Sequence, residues 1–126
     1  MKNFLIFVIL WAALLVWFYD WASSGRMDRF LELHPNPQVT PVVLDALSQV
    51  YGTFQESKTA SHYHRWIIAK YPDYGNVVRI RYQLAQAYED QNERALALEQ
   101  YRVLRDSFTL TTYGQLAKKK VEMSKY

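Results

Sequence analysis

The chain has 126 residues, with 15 Lys and Arg against 12 Asp and Glu, and a formal net charge of +3 at pH 7. This near balance of charge does not favour nucleic acid as a partner. The sequence has no cysteine, which excludes disulfides, thiolate catalysis and sulfur-ligated metals. Once an apolar N-terminal run is set aside, about a hundred residues are left, enough for one small domain.

An apolar and aromatic run, interrupted only at Asp20, covers residues 4–22. A helix needs roughly 20 such residues to cross the hydrocarbon core of a bilayer, so we expect this run to contact lipid, with Asp20 at an interface. We therefore assign residues 1–25 to a transmembrane anchor. A cleaved secretory signal is the alternative, because small residues follow the run at positions 22–24.

Basic residues flank the run on both sides and nearly balance. Lys2 precedes it, while Arg26 and Arg29 follow it. A short N-terminal tail with one lysine before the first span usually stays inside the cell. We therefore expect a single-pass protein whose remaining residues lie outside the cytoplasm.

Residues 26–40 are predicted to form a juxtamembrane helix and a proline-rich linker. Met27, Phe30 and Leu31 share one face of a short helix from Arg26 to Leu33. This helix is either a docking element or a continuation of the anchor along the membrane surface. Three prolines follow between positions 34 and 41 and favour an extended, stiff connection.

The remaining part, residues 41–126, is predicted to fold into helices, because its apolar residues recur at spacings of three and four. Candidate N-caps are Thr40, Asp73 or Asn76, and Asn92. A last, more polar helix with four lysines can cap the domain. The predicted helices cover Pro41–Phe54, Ser57–Tyr71, a third ending near Asp90, a fourth ending near Phe108, and Thr112–Lys125.

This part of the chain also repeats itself at an offset of 37 residues. Self-similarity at this period is typical of helical repeat proteins, whose units bury their apolar faces against neighbouring units. Small residues are expected where two helices cross. The recurring pairs are Leu47 and Leu84, Tyr51 and Tyr88, Ala60 and Ala97, and Ile67 and Leu104.

The pattern resembles the tetratricopeptide repeat family, and the likeness covers roughly residues 41–124. It departs from that family at His64, where an aromatic residue is usual, at Arg81, where a large apolar residue is common, and at Thr109, where proline usually closes the unit. The family's favoured positions fall on Leu44, Leu47, Ser48, Tyr51, Ala60, His64, Ile67 and Pro72 in the first copy, and on Arg81, Leu84, Ala85, Tyr88, Ala97, Tyr101, Leu104 and Thr109 in the second.

The resemblance implies an all-α protein in which one transmembrane helix precedes a short solenoid of two repeats and a capping helix. The spacing, and Tyr71-Pro72 before the second copy, are similar to those of repeat proteins of the bacterial cell envelope. The implied location is therefore the bacterial inner membrane, with a periplasmic domain.

In this family the first helix of each pair lines a concave surface that binds partners. Here the inward-facing residues would be Val42, Asp45, Gln49, Arg79, Tyr82, Gln86 and Glu89. A merely solvated helix face is the alternative. Tyr63 and Trp66 suggest a second contact surface, or packing against the linker. The run of lysines at 118–120 fits anionic lipid, an acidic partner or a solvated cap.

No catalytic constellation is recognisable. The four glycines are far apart, and His62 and His64 are two residues apart, so neither a phosphate loop nor a helical zinc pair is predicted. We expect no enzyme activity, cofactor, metal or small-molecule substrate. The prediction is an accessory or scaffold subunit that contacts other protein subunits of a membrane complex. The alternative is a tethered adaptor that recruits partners to the membrane.

Overall fold

The structure, a computed structural model, describes residues 1–124, except for the side chains at positions 22 and 23. Within these residues it has seven α-helices and no strand, which confirms the all-α prediction. Positions 125 and 126 of the predicted repeat domain, including the predicted helix end at Lys125, lie outside the described residues. The helices are α1 Lys2–Ser23, α2 Arg26–Leu33, α3 Thr40–Thr53, α4 Ser57–Lys70, α5 Val77–Asp90, α6 Arg94–Ser107 and α7 Thr112–Met123.

The chain divides into two compact units, Met1–Asn36 and Pro37–Tyr126. In the first unit, α1 is apolar and its described side chains up to Asp20 are exposed. The 20-residue segment Lys2–Trp21 of this helix is long enough and apolar enough to cross a membrane. A secretory signal meets the same criterion, so the alternative given above stays open.

The second helix of this unit follows a glycine turn. Gly25 has a φ of 84°, a left-handed conformation that glycine adopts without steric cost. In α2, Met27 and Leu31 are buried, whereas Phe30 is 52% exposed and lies 4.7 Å from the His34 ring. The predicted apolar face of α2 is therefore only partly buried.

In the second unit, two helix pairs have the same lengths and are offset by 37 residues throughout. The pair α3 and α4 covers Thr40–Thr53 and Ser57–Lys70, and the pair α5 and α6 covers Val77–Asp90 and Arg94–Ser107. The period read from apolar positions in the sequence thus also sets the helix boundaries.

The turns within the two pairs are alike. Gln55 and Asn92 have φ values of 60° and 61°. The amide of Glu56 donates to the Tyr51 carbonyl at 2.9 Å, and that of Glu93 to the Tyr88 carbonyl at 2.8 Å. A left-handed residue followed by such a bond is the Schellman ending of a helix, which satisfies its last carbonyl groups.

Two predicted N-caps, Thr40 and Asn92, differ from the observed cap positions, and the third, Asn76, holds its predicted position without a capping bond. Asn92 does not cap α6, because it adopts the left-handed turn conformation and Glu93 occupies the cap position. Thr40 is the first residue of α3 instead of its cap. Asn76 does precede α5, but its side chain makes no capping bond and contacts the Tyr74 hydroxyl at 3.4 Å.

A continuous core connects the second helix pair to α7. Ala60 and Ala97 are each 2% exposed, as expected for residues at helix crossings. The last helix packs on α6 and also touches α5, and its buried residues Gly114, Ala117 and Val121 lie on one face. The core residues of this cluster are Leu84, Ala85, Tyr88, Ala97, Tyr101, Leu104, Ala117 and Val121.

Candidate functional site

Two of the predicted partner-binding residues are engaged with each other. Asp45 on α3 is 7% exposed and lies 2.5 Å from the guanidinium of Arg79 on α5. The Tyr74 hydroxyl also donates to the Asp45 carboxylate, at 2.9 Å. These contacts connect the two helix pairs, so within the described residues Asp45 and Arg79 act structurally.

The electrostatics of Asp45 follow from these contacts. Burial by itself would raise the pKa of this carboxyl, but hydrogen bonds from Arg79, Tyr74 and Gln49 outweigh burial and lower the pKa below 3.8. The carboxylate is therefore charged at neutral pH and holds Arg79 in place.

The other residues predicted for the concave surface are more accessible. Gln49 is exposed and its amide donates to Gln83 at 2.8 Å, and Val42 is 52% exposed. Tyr82 is half-buried, with its ring between those of Tyr101 at 5.7 Å and Tyr113 at 5.3 Å. The exposed residues Gln86 and Glu89 lie in the clefts described below.

The aromatic pair predicted as a second surface is only partly accessible. Tyr63 is 3% exposed, and its ring stacks on that of Tyr51 at 5.8 Å, so it packs against α3. Trp66 is half-buried at 6.3 Å from the Tyr63 ring. A role in partner contact remains a prediction for Trp66, whereas Tyr63 offers almost no surface.

A first cleft of about 300 Å³ lies between α3, α4 and α5. Its floor includes Ala60 and His64, and its polar walls carry amide and hydroxyl side chains. One carboxylate, that of Asp90, lines it and accepts a 3.4 Å hydrogen bond from Ser57. The lining residues used below are Gly52, Ser57, Ala60, His64, Gln83 and Gln86.

A second cleft of about 400 Å³ lies between α5, α6 and α7. Adding the 37-residue offset to the six residues of the first cleft gives six residues that line the second: Glu89, Arg94, Ala97, Tyr101, Lys120 and Met123. The two clefts are therefore the same feature of the fold, repeated once.

The equivalent positions 64 and 101 each bury a polar atom. Nδ1 of His64 has no hydrogen-bond partner within residues 1–124. The Tyr101 hydroxyl makes no hydrogen bond of good geometry there, but it interacts with the Glu89 carboxylate. The two residues are 4% and 1% exposed. Burial lowers the pKa of His64 to about 4. Burial, together with the nearby Glu89 carboxylate, raises the pKa of Tyr101 above its usual range. At neutral pH both groups are therefore uncharged.

The chemistry of the two clefts differs at their rims. Ser57 and Gln83 of the first cleft are replaced by Arg94 and Lys120 in the second. Lys120 lies 3.7 Å from the Glu89 carboxylate, and both side chains are more than a third exposed. The first cleft thus offers mainly uncharged hydrogen-bonding groups, and the second offers cations.

Two of the cleft residues, Gln86 and Glu89, were predicted as partner-binding residues, whereas the others were not. His64 and Tyr101 were matched to a repeat position, and Lys120 was treated as part of a charge run. The 37-residue offset pairs His64 with Tyr101 and Gln83 with Lys120, but it does not show that these positions line clefts. The burial of polar atoms beside a cleft could not be read from that pattern.

No protein-family model and no curated protein sequence matches this chain. Arguments about its function therefore start from the fold and from the two clefts.

Proposed function

We propose that this chain is a non-catalytic, membrane-anchored repeat protein that serves as an accessory or scaffold subunit of a larger membrane complex. The observation that carries the proposal is the combination of an apolar N-terminal helix with helix pairs repeated at 37 residues. Repeated helix pairs build extended surfaces for holding other proteins, and an anchor confines such a surface to the bilayer.

A tetratricopeptide-like solenoid is the arrangement proposed for the second unit. The buried alanines 60 and 97 and the matching turns at Gln55 and Asn92 support it. At the departure, Arg81, Nη1 of the guanidinium donates to Gln100 on α6 at 3.1 Å, while Nε is buried without a hydrogen-bond partner in residues 1–124. The polar outer positions of α7, including Lys118 and Lys119, are what a terminal capping helix needs for solubility.

The proposed location is the bacterial inner membrane, with residues 4–22 in the bilayer and the second unit in the periplasm. The exposed apolar surface of α1 supports a lipid or protein environment for this helix, because soluble proteins rarely expose so large an apolar surface.

A gentle-detergent pull-down of the full chain through a C-terminal tag tests the accessory-subunit proposal. We expect a discrete assembly on a native gel, with companions in fixed stoichiometry identified by mass spectrometry. Replacing Trp11 and Trp17 by leucine keeps α1 apolar but removes two large exposed rings, and should release companions held through the anchor. Leucine at Ile6 and Ile9, which are exposed on α1 but carry no ring, is the control. Recovery of the chain alone contradicts the proposal.

A tethered adaptor is the second candidate, and the two open clefts favour it. Recovery with several substoichiometric soluble proteins would support this function. Charge reversal at Arg79 with truncation of Tyr82 is unsuitable for testing it, because both residues contribute to packing. Exposed cleft residues such as Gln86 are better targets.

A further inference from the structure

Four apolar residues form one exposed face of helix α3. They follow one another at spacings of four residues, which keeps them on the same side of the helix. Val42 and Val50 are each 52% exposed, and Phe54, the residue that ends the helix, is 73% exposed. We call this set the α3 face, and its members are Val42, Ala46, Val50 and Phe54.

The equivalent face of α5 is covered by other helices. Adding 37 residues to the α3 face gives Arg79, Gln83, Ala87 and Gln91. Arg79 pairs with Asp45 of α3. Gln83 accepts a hydrogen bond from Gln49 of α3 at 2.8 Å, and Ala87 is only 6% exposed. On α5, this face therefore packs against the helix pair that precedes it.

On α3 the same face lies at the end of a series of helices. The described helices of the second unit pack in chain order, so no helix pair of this unit precedes α3. The outer face of a terminal helix in a repeat stack must be polar for solubility, and α7 meets this need with Lys118 and Lys119 in solvent. The α3 face has no charged or hydrogen-bonding side chain. It therefore has the character of a surface that another protein covers.

Charge limits which surface can cover the α3 face. A lysine or arginine packed on it would lose its hydration without gaining a partner. The exposed surfaces of α6 and α7 carry such charges, among them Arg102 and Lys118, whereas the α3 face of a second copy carries none. A bilayer surface fits less well, because α3 contains no lysine or arginine, and helices that lie on membranes are rich in them.

We propose that two copies of this chain pair through their α3 faces, with the two helices antiparallel about a two-fold axis. Such a contact is closed, since each copy uses the same surface. Each α3 face exposes roughly 350 Å² of apolar surface, less than the apolar share of about 450 Å² per partner in a standard interface. The pair is therefore weak in solution and depends on confinement of both copies to one bilayer, a step that rests on the proposed anchor.

The test is chemical crosslinking of the purified full chain in phosphatidylcholine liposomes. The sequence has no cysteine, so Ala46→Cys places a single thiol near the proposed axis. We expect a short bis-maleimide to give at least about tenfold more dimer with this variant than with Glu99→Cys, which is exposed on α6 outside the α3 face. Equal yields would show random collision in the bilayer and refute the pair, as would an absence of dimer.

A charge on the α3 face tests whether this face holds the pair. Val50→Glu, added to the Ala46→Cys chain, should lower the dimer yield about tenfold, because a carboxylate would lose its hydration in the contact. Leu96→Glu is the matched control, since Leu96 is 41% exposed on α6, and it should leave the yield unchanged. Equal yields in the two variants contradict the proposal. Should circular dichroism show that Val50→Glu unfolds the chain, Val42→Gln with Phe54→Gln should lower the yield instead.

Flotation of the same liposomes measures the proposed anchor separately. A chain that floats with the lipid without the specific crosslink refutes the pair and leaves the membrane function intact. A specific crosslink in a chain that does not float supports the pair and counts against the anchor, and loss of both counts against both. Protection of the Ala46→Cys thiol from maleimide in native membranes, without dimer in liposomes, would assign the α3 face to a different protein and refute the pairing of copies.

Discussion

His64 and Tyr101 bury polar atoms at equivalent positions of two repeats. Nδ1 of His64 has no hydrogen-bond partner in the described part of the chain, whereas the Tyr101 hydroxyl interacts with the Glu89 carboxylate. Leaving one such group unsatisfied costs about 1–3 kcal/mol, and native proteins contain few of them. The unpaired Nδ1 of His64 therefore lowers the stability of the folded chain.

The protonation of His64 makes a pH-dependent stability testable. Its pKa is lowered from 6.5 to about 4 in the folded chain, chiefly because it is buried, so the unfolded chain binds more protons between these two values. The free energy of unfolding should therefore fall as the pH is lowered from 6.5 to 4, by up to about 3 kcal/mol. Urea unfolding of the full chain in detergent, followed by circular dichroism at about pH 7 and pH 4.5, measures the loss.

The control is His64→Phe, which should remove most of this dependence. The charged neighbours that act on His64 are Asp45, which favours its protonation, and Arg79 and Arg65, which oppose it. Asp45 itself titrates in a lower range, because its pKa is held below 3.8. An unchanged pH dependence in the Phe variant would assign the effect to other groups.

Gly114 in the first turn of α7 is a second residue with a sharp prediction. A Cβ added there would overlap the backbone carbonyl of Phe108, whereas a Cβ at Gly52 would meet nothing within 4 Å. The Gly114 amide also donates to the Thr111 hydroxyl at 3.0 Å. We expect Gly114→Ala to lower the free energy of unfolding by about 1–3 kcal/mol, because the added methyl group forces overpacking. The melting temperature should fall accordingly.

Gly52→Ala is the matched control, because it lies inside helix α3 and should stabilise it by about 0.5–1 kcal/mol. Circular-dichroism melts of the two variants should thus move in opposite directions. A Gly114 variant as stable as the original chain would contradict the close approach of α7 to Phe108.

At the scale of elements, the Asp45–Arg79 pair connects α3 to α5. Its side chains are only 10% and 26% exposed, so it is screened less than a surface pair. A double-mutant cycle built from Asp45→Asn, Arg79→Gln and the double variant should give a coupling energy of about 1 kcal/mol. This value is near the upper limit measured for exposed ion pairs. Urea unfolding at neutral pH measures all three.

The exposed pair of Arg105 and Asp106, at 2.8 Å on α6, is the control for this cycle. It should give a coupling energy close to zero, since water screens both charges. Equal coupling in the two pairs would mean that the Asp45–Arg79 contact adds nothing beyond a surface interaction.

The helices themselves could be predicted from the sequence, because their apolar spacing and proline stops are local signals. The start of α4 at Ser57 and the end of α5 at Asp90 match the prediction. Asn92 could not be placed from the same signals, since asparagine favours both an N-cap and the left-handed turn, and the packing of the helix pair decides between them.

The candidate site was less predictable than the helices. Asp45 and Arg79 were expected to face a partner, but they contact each other, and a contact between residues 34 apart depends on how two helices pack. The burial of Tyr101 has the same origin, because its ring packs against that of Tyr82 on α5. Repeat offset identifies equivalent positions, whereas only the packing shows which of them line a cleft.

At the scale of the whole molecule, the two units have opposite surface character. The described side chains of α1 up to Asp20 are exposed and mostly apolar, while α7 at the other end of the chain places Lys118 and Lys119 in solvent. Such an arrangement suits a protein whose first unit is covered by lipid or other membrane helices and whose second unit stays hydrated.

The absence of cysteine from the sequence allows the membrane orientation to be measured cleanly. A single cysteine at Glu99, which is exposed on α6 and lines neither cleft, reports on the second unit. A cysteine at Asn3 reports on the other end of α1. With Lys2 held inside by the positive-inside preference, Glu99→Cys should react with a membrane-impermeant maleimide in intact spheroplasts, and Asn3→Cys only after lysis. The reverse pattern would place the second unit in the cytoplasm.

Cleavage of α1 as a secretory signal predicts a third result. The Glu99 variant would then be labelled on a shortened, soluble chain, and this chain would no longer contain the Asn3 cysteine.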